Sequence, residues 1–496
     1  MDTASISLYM HHAALDRASC YRALAAKDTR FDGVFFTGVK TTGIYCRPVC
    51  TVKTPRESSC LFFSSAAAAE AAGFRPCLRC RPELAPYALQ QNLAHAVWRR
   101  IAAGALNDGD VERLADEVGL SSRQLRRVLL QHFGVTPVEL AQTQRLLFAK
   151  KLLQETRLPM AEIAYAAGFG SVRRFNALFA LRYGMAPTAV RRAAPREEAD
   201  THDALTLRLA YRPPFHWSRI LEYLSGRAIA GVEAVQADGS GMYLRSVRID
   251  DATGWLRVVD LPQRHQLELE LAPSLSPVLM PLLARVRSQF DLDANPHIIE
   301  AHLRNDALLG PHIAAMPGLR VPGAFDAFEL AVRAVLGQQV SVAGATTLSG
   351  RLVQRFGDAV ATPFAQVTHH FPGAEVLAGA DVADIAGIGL PRARAQTIAN
   401  LARFAASGGL QMPPGLTLDD AIVRLKSVPG IGDWTAHYIA LRALRFTDAF
   451  PAGDLGLQKA AAGAAGRLTE KQLAARAAGW SPWRGYAALA LWMTSS

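Results

Sequence analysis

Thr41-Thr42-Gly43-Ile44-Tyr45-Cys46-Arg47-Pro48-Val49-Cys50 and Gly73-Phe74-Arg75-Pro76-Cys77-Leu78-Arg79-Cys80 together hold four of the six cysteines of the chain. The two close pairs, Cys46-x3-Cys50 and Cys77-x2-Cys80, stand 26 residues apart and supply the four thiolates that a tetrahedral Zn²⁺ takes. Pro48 and Pro76 stiffen turns that would aim the sulfurs at one point, and Arg47, Arg75 and Arg79 crowd the cluster with positive charge. A zinc-bound thiolate stays ionised at neutral pH, so one sulfur can be ligand and nucleophile together. Two readings stand at this point: a closed knuckle that only holds a small domain together, and a reactive cluster. Cys20 and Cys60 fall outside the spacing and are expected to be ordinary buried or free thiols.

The flanks favour the second reading. TTGIYCRPVC followed by GFRPCLRC resembles the N-terminal domain of the Ada family of alkylation-response proteins, over roughly residues 10–85. The resemblance implies one zinc ion, structural and nucleophile-activating, on Cys46, Cys50, Cys77 and Cys80. It also implies that Cys46 accepts a methyl group from a methylated DNA phosphate, with Thr42, Arg47 and Arg75 contacting DNA. The physics suits a sensor. Methylating one sulfur makes a neutral thioether and removes a negative charge beside a basic flank, which strengthens salt-dependent DNA binding.

At 496 residues the chain is too long for one core, so three or four domains are expected. Half of the residues are apolar and a fifth charged, which excludes a disordered chain. No stretch is long enough for a membrane span and the start MDTASISLYMHH lacks a signal-peptide layout. Sparse cysteines at metal spacing fit a reducing compartment, so a bacterial, nucleoid-associated cytoplasmic location is expected. The net charge of +11 is uneven: residues 86–195 carry 15 Lys+Arg against 8 Asp+Glu, and a nucleic-acid partner is the simplest explanation.

That basic segment reads as helix almost throughout and repeats one layout. Val111–Arg127 and Met160–Asn176 each show an amphipathic helix ending at a glycine (Gly119, Gly168), a serine suited to N-capping and a second helix. This is helix, tight turn, recognition helix. Arg123, Gln124, Arg126 and Arg127 face outward in the first unit and Arg173, Arg174 and Asn176 in the second, residue types that suit guanine and adenine edges. The matching ends HFGVTP (132–137) and RYGMAP (182–187) make the pair similar to the AraC-type DNA-binding domain. The resemblance implies promoter DNA, and RNA polymerase as a further partner.

Residues 193–203 are short, polar and proline-marked, an expected linker. Beyond it, strand periodicity at 205–211, 241–249, 255–259 and 267–271, with helices expected at 216–224 and 277–290, predicts an α+β subdomain of net acidic character.

Residues 325–496 return to helix. In Val428-Pro429-Gly430-Ile431-Gly432-Asp433-Trp434-Thr435-Ala436 a helix ends at Pro-Gly, the glycines let a backbone approach closely, and the next helix begins with free N–H groups suited to a phosphate. Gly430, Gly432 and Thr435 are the expected DNA contacts of this hairpin. About 20 residues on stands Phe450-Pro451-Ala452-Gly453-Asp454-Leu455, the spacing of a helix-hairpin-helix DNA glycosylase. The stretch from FDAFE (325–329) through LGQQVS (336–341) to WSPWRGY (480–486) is similar to the AlkA family of 3-methyladenine glycosylases, whose whole length corresponds to residues 200–496.

The resemblance implies that Asp454 is catalytic, that Trp434, Tyr438 and Trp492 line the base pocket, and that Gln339 stands where the family has an intercalating leucine. Trp434 occupies the place of the lysine that strand-cleaving relatives carry, so a monofunctional hydrolase is implied. No cysteine follows Cys80, so no iron–sulfur cluster is expected. The chemistry follows from the substrate: a base alkylated on a ring nitrogen is cationic and leaves without a general acid. One carboxylate then has only to stabilise positive charge developing on the sugar, after the base is rotated out of the duplex.

The expected architecture is therefore multidomain and mainly α with α+β parts. A zinc-binding α/β domain spans 1–85, an all-α double helix-turn-helix 86–195, an α+β subdomain 204–304 and an all-α helix-hairpin-helix glycosylase domain 305–496. The expected function joins hydrolysis of the N-glycosidic bond of alkylated purines to methyl acceptance at Cys46 and promoter binding. Its partners are damaged and promoter DNA, with no membrane. No Pro-Cys-His methyltransferase motif is present, so repair of O6-methylguanine is not expected. The rival is a methylation-activated regulator whose glycosylase-like half only clamps DNA.

Overall fold

The computed structural model describes residues 16–86, 93–107, 110–193, 204–236, 239, 241–413, 415–463 and 466–494. The expected linker therefore lies, apart from Ala193, outside the described residues, as does the opening segment. The four-part, mainly helical architecture is as expected, with two small sheets.

The first unit carries helices α1 (Arg17–Ala25) and α2 (Ala66–Ala71) and a sheet of strands β1 (Phe36–Val39), β2 (Ile44–Cys46), β3 (Cys60–Phe63) and β4 (Arg75–Pro76), in the order β3-β1-β2-β4. β2 and β4 run parallel, with Ile44 beside Arg75 and Tyr45 beside Pro76. That register sets Cys46 and Cys77 at the same end of the sheet. The core beneath is Phe36, Tyr45, Ala66, Ala69 and Phe74.

The second unit is helical: α3 (Leu93–Ala102), α4 (Val111–Glu117), α5 (Ser122–Phe133), α6 (Pro137–Glu155), α7 (Met160–Ala166), α8 (Val172–Tyr183) and α9 (Pro187–Ala193). Each helix-turn-helix forms for the reason read from the sequence. Gly119 (φ +69°) and Gly168 (φ +79°) end α4 and α7 in the left-handed region. Ser121 and Ser171 then cap α5 and α8 by accepting from the amides of Gln124 and Arg174. Leu125 and Leu129, and Phe175 and Phe179, point inward and are buried. The nineteen-residue α6 joins the two units and starts with a capping box between Thr136 and Glu139.

The third unit is a five-stranded antiparallel sheet, β5 (Leu205–Ala210), β6 (Glu233–Gln236), β7 (Met242–Ile249), β8 (Ala252–Leu261) and β9 (Gln266–Leu271), ordered β5-β9-β8-β7-β6. Packed with it are α10 (Trp217–Ser225), α11 (Leu279–Gln289), α12 (Pro296–Leu303) and α13 (Leu309–Ala315). The sequence reading had missed β6, an edge strand whose four residues are all half-buried and show no alternation. The glycosylase unit follows as α14 (Ala327–Leu336), α15 (Val342–Phe356), α16 (Ala374–Gly379), α17 (Val382–Ala386), α18 (Arg392–Ala406), α19 (Leu418–Lys426), α20 (Asp433–Arg442), α21 (Leu455–Ala462), α22 (Glu470–Ala477) and α23 (Arg484–Thr494).

The zinc-binding unit and the DNA reader share a buried polar seam. Glu70, 5% exposed, accepts hydrogen bonds from Tyr45 and from Thr143 of α6, each at 3.0 Å. Ser65 donates to the Phe133 carbonyl at 3.0 Å, and at the exposed rim of the seam Arg75 donates to the Tyr183 carbonyl at 3.4 Å. Burial pushes the Glu70 carboxyl up to about 7 against the lowering effect of those two hydroxyls. A carboxyl raised on folding contributes stability below its unfolded value, and that stability is lost as pH rises through about 7. Glu70→Gln should therefore lie close to the parent in thermal midpoint at pH 5 and above it at pH 8, as read by scanning fluorimetry at the two pH values.

Candidate active site and metal centre

The sheet and its turns bring all four expected metal ligands together: the sulfurs of Cys46, Cys50, Cys77 and Cys80 lie within 4.8 Å of one another. Cys46 closes β2, and the Cys50 amide donates back to the Arg47 carbonyl at 3.1 Å, which folds the second ligand over the first. The Cys77 amide donates to the Tyr45 carbonyl at 3.0 Å and anchors the other pair. Two sulfurs accept from the main chain, Cys80 from the Arg47 amide at 3.4 Å and Cys77 from the Cys80 amide at 3.5 Å. Four sulfurs at this spacing fit a zinc ion, whose Zn–S bonds of about 2.3 Å set tetrahedral sulfurs roughly 3.8 Å apart. Cys20 and Cys60 are buried single thiols, 1% and 0% exposed, away from the cluster.

One arginine of the flank turns inward. Arg47 is buried and paired with Asp32, with Nε to Oδ1 at 2.8 Å, and it donates to the Cys80 carbonyl at 3.2 Å. Its side chain therefore holds the cluster's backbone. Thr42, Arg75 and Arg79 are exposed and keep the outer face basic. Cys46 itself is 6% exposed, whereas Cys80 is the partly exposed member of the four.

The reader presents its side chains as expected. Arg123, Gln124, Arg126 and Arg127 on α5, and Arg173, Arg174 and Asn176 on α8, are all exposed. The Gln124 carbonyl oxygen is occupied, accepting from the Ser121 amide at 2.9 Å and hydroxyl at 3.0 Å in the capping box, which leaves its amide nitrogen for a partner.

In the glycosylase unit the hairpin sits between α19 and α20. Gly430 has φ +95°, and a Cβ there would fall 1.9 Å from the Thr397 hydroxyl, so both conformation and space require glycine. Gly432 caps α20 with nothing within 4 Å of a would-be Cβ, leaving the helix N-terminus open to a phosphate. Lys426 neutralises Asp433 at that terminus, 2.7 Å away. Thr435, an expected DNA contact, is the third residue of α20. It is 3% exposed and its hydroxyl accepts from Gln338 at 3.0 Å, so its side chain faces inward. Gln338 also donates to the Gly430 carbonyl at 3.1 Å and pins the loop before α15 to the hairpin. Beside it Gln339 is exposed with φ +56°, a left-handed conformation that costs about 1 kcal/mol or more for a residue with a Cβ.

Asp454 caps α21, and three N–H donors on three elements fix its carboxylate. Oδ1 accepts from the Leu457 amide at 2.9 Å and the Trp492 indole at 3.1 Å, while Oδ2 accepts from the Trp434 indole at 2.8 Å. Trp434 stacks on Tyr438 with ring centres 5.2 Å apart and planes 10° from parallel. Trp492 meets Tyr438 edge-on at 6.1 Å. The rings expected at the base pocket are thus joined directly to the carboxylate. Two residues had escaped the sequence reading. Arg442, one turn after Tyr438 on α20, donates to the Tyr438 hydroxyl at 2.8 Å and to that of Tyr223 on α10 at 2.7 Å. The i, i+4 spacing of Tyr438 and Arg442 was visible in the sequence; nothing local marked Tyr223. Burial would raise the Tyr438 phenol, but the Arg442, Arg227 and Arg333 guanidiniums outweigh it and bring it down to about 8.

A carboxylate at a helix N-terminus, an aromatic wall and a glycine hairpin aimed at a phosphate define a DNA glycosylase, here joined to a thiolate metal centre and a double helix-turn-helix reader. Comparisons with known proteins agree, in chain order. The metal binding domain of Ada matches residues 19–83 and a helix-turn-helix domain 114–193. The AlkA N-terminal domain matches 206–326 and the HhH-GPD superfamily of base excision DNA repair proteins 332–484. A Mycobacterium tuberculosis protein, "Probable bifunctional transcriptional activator/DNA repair enzyme AlkA", is 40% identical over 486 residues, 97% of this chain and 96% of that one. Escherichia coli DNA-3-methyladenine glycosylase 2 is 37% identical over 286 residues, 58% of this chain and 96% of that protein. The 3-methyladenine DNA-glycosylase structure from Archaeoglobus fulgidus shares the fold of this half, with a TM-score of 0.51 at 20% identity over 58% of this chain and 97% of that one. The chain belongs to the AlkA family of bifunctional transcriptional activators and DNA repair enzymes.

Cys50→Ser should lower bound zinc from one per chain to a small fraction, measured by atomic emission after gel filtration; full occupancy would contradict the four-sulfur site. Trp434→Phe keeps the stacked ring but removes one donor to Asp454. A hydrogen bond to a charged group is worth about 1.5–3 kcal/mol, so kcat for base release should fall roughly tenfold to a hundredfold with little change in KM.

Proposed function

We propose that the chain hydrolyses the N-glycosidic bond of alkylated purines of the 3-methyladenine and 7-methylguanine type, and reports methylation of the DNA backbone through Cys46. The carrying observation is the Asp454 carboxylate, fixed by three N–H donors and edged by Trp434, Tyr438 and Trp492. An electron-poor base, rotated out of the duplex, stacks on these rings; cation–π attraction contributes about 0.5–2 kcal/mol per contact. The positively charged base leaves with the bonding pair, Asp454 stabilises the cation left at the sugar, and water adds there to complete hydrolysis. The hairpin amides after Gly430 and Gly432 hold the strand by its phosphates, and Gln339 enters the gap left by the base. Trp434 at the Schiff-base position supports a monofunctional enzyme.

In the front half, Cys46, Cys50, Cys77 and Cys80 would hold one zinc ion, which when bound keeps the thiolates ionised and nucleophilic. Thr42, Arg75 and Arg79 on the exposed face bind the phosphate backbone, and Arg47 with Asp32 keeps Cys46 in place. The two recognition helices read promoter DNA through Arg123, Arg127, Arg173, Arg174 and Asn176, with the Gln124 amide group. Leu181, 79% exposed, and Tyr165, 59% exposed, offer apolar surface on the second unit to a protein partner such as RNA polymerase. The units divide at 1–85, 86–195, 204–304 and 305–496. No helix among the described residues is long and apolar enough to cross a membrane. A bacterial cytoplasmic, nucleoid-associated setting suits a chain whose described cysteines form no disulfide.

Asp454→Asn should reduce release of 3-methyladenine from methylated duplex more than a hundredfold while leaving duplex affinity within threefold; retained excision would remove the mechanism. Peptide mass spectrometry after exposure to methylphosphotriester DNA should find one added methyl group on Cys46. Methyl on Cys80, the more exposed sulfur, would reassign the acceptor.

A further inference from the structure

Arg212, just after β5 in the glycosylase half, is 2% exposed and reaches across to the zinc-binding unit. Its guanidinium donates to main-chain carbonyls of both: to Asp32 from Nη2 at 2.6 Å and Nε at 3.2 Å, to Pro86 at 3.2 Å, and to Asp293 at 2.6 Å. The guanidinium packs close to the chain beside Asp32: a Cβ on Gly33 would fall 3.3 Å from Arg212 Nη2. Asn295 adds a bond to the Arg30 carbonyl at 3.1 Å. A buried guanidinium satisfied by carbonyls from three separate segments is satisfied only while all three are in place.

Asp32 is the residue shared with the cysteine cluster. Its carbonyl receives Arg212, and its carboxylate holds Arg47, whose amide donates to the Cys80 sulfur and whose guanidinium donates to the Cys80 carbonyl. A second link leaves Cys80 in the other direction. Arg81, held at φ +53°, pairs with Glu83 at 3.0 Å and with Glu155 at the end of α6. Glu155, its side chain 2% exposed, accepts from Lys151 at 2.6 Å and from the Arg208 amide of β5 at 3.0 Å. Both residues flanking Cys80, in sequence or across the cluster, therefore lead to β5 or to Arg212, two residues beyond its end.

We infer that the zinc-binding unit and the α+β subdomain are one cooperative body, in which metal binding at the cysteine cluster and docking of the β5 segment on Asp32 are reciprocally coupled through Arg212. Linkage requires both directions: removing metal loosens the β5 junction, and removing the Arg212 anchor weakens metal binding by the same factor. The inference rests on the cluster holding zinc, so zinc per chain is measured first in the same full-length preparation. Hydrogen–deuterium exchange is then compared with zinc bound and after chelation. Peptides covering 204–215 and 290–296 should exchange at least tenfold faster without zinc, while 433–442 in the base pocket changes less than twofold. In chelator competition, Arg212→Met should lower zinc affinity at least fivefold and Arg212→Lys by less, with helix content unchanged by circular dichroism. Bound zinc with unchanged exchange at 204–215 overturns the coupling alone, as does equal acceleration at 433–442, which would mean general unfolding. Should Arg212→Met not fold, the wild-type exchange comparison decides. A preparation that binds no zinc overturns the inference together with the cofactor reading.

Discussion

A carboxylate is useful for sheltering a sugar cation only if it cannot turn away, and the glycosylase half is arranged around that constraint. Asp454 is simultaneously the cap of α21 and the acceptor of two indole N–H groups. Because both indoles also contact the Tyr438 ring, aligning the base and aiming the acid are one act under the proposed function. Trp434 follows Gly432 by two residues, so the hairpin also fixes the first indole. Arg442 extends the arrangement to the α+β subdomain by binding the hydroxyls of Tyr438 and Tyr223 together. The subdomain that carried no chemical signal in the sequence thus supplies part of the base site's support.

The front half works by a different economy of charge. The cluster's negative charge sits behind an exposed basic edge of Arg75 and Arg79, so neutralising one sulfur alters the field that a phosphate backbone meets. Glu70 then joins this unit to α6, the helix that spaces the two readers. Since α6 also ends at Glu155, one rigid helix touches the zinc unit, both recognition units and β5. Modules that are separable in sequence share buried polar contacts in the fold.

What was legible in the sequence had a local cause. Thiolate spacing, a glycine before a capping serine, and a hairpin followed at fixed distance by an aspartate are each enforced by chemistry within a few residues or by a recurring motif. Asp32, Glu70, Arg212 and Tyr223 were not legible, because each acts on a partner 15 to more than 200 residues away and has no pattern around it. The inward turn of the Arg47 and Thr435 side chains was not legible either. Arg47 bonds Asp32, 15 residues away, and Thr435 bonds Gln338 on the loop before α15, and neither partner has a local signal. The edge strand β6 escaped because half-burial on both faces erases period-two alternation.

Under the proposed function the glycosidic bond breaks to a sugar cation that Asp454 stabilises. The secondary isotope effect from tritium at C1′ of a 7-methylguanine nucleotide, measured on kcat/KM for base release, tests it most directly. A large normal effect, reporting loosened bonding at a cation-like carbon before water adds, is the result expected. An effect near unity under conditions where bond breaking limits the rate would mean that water or the carboxylate attacks in concert, and would contradict the account.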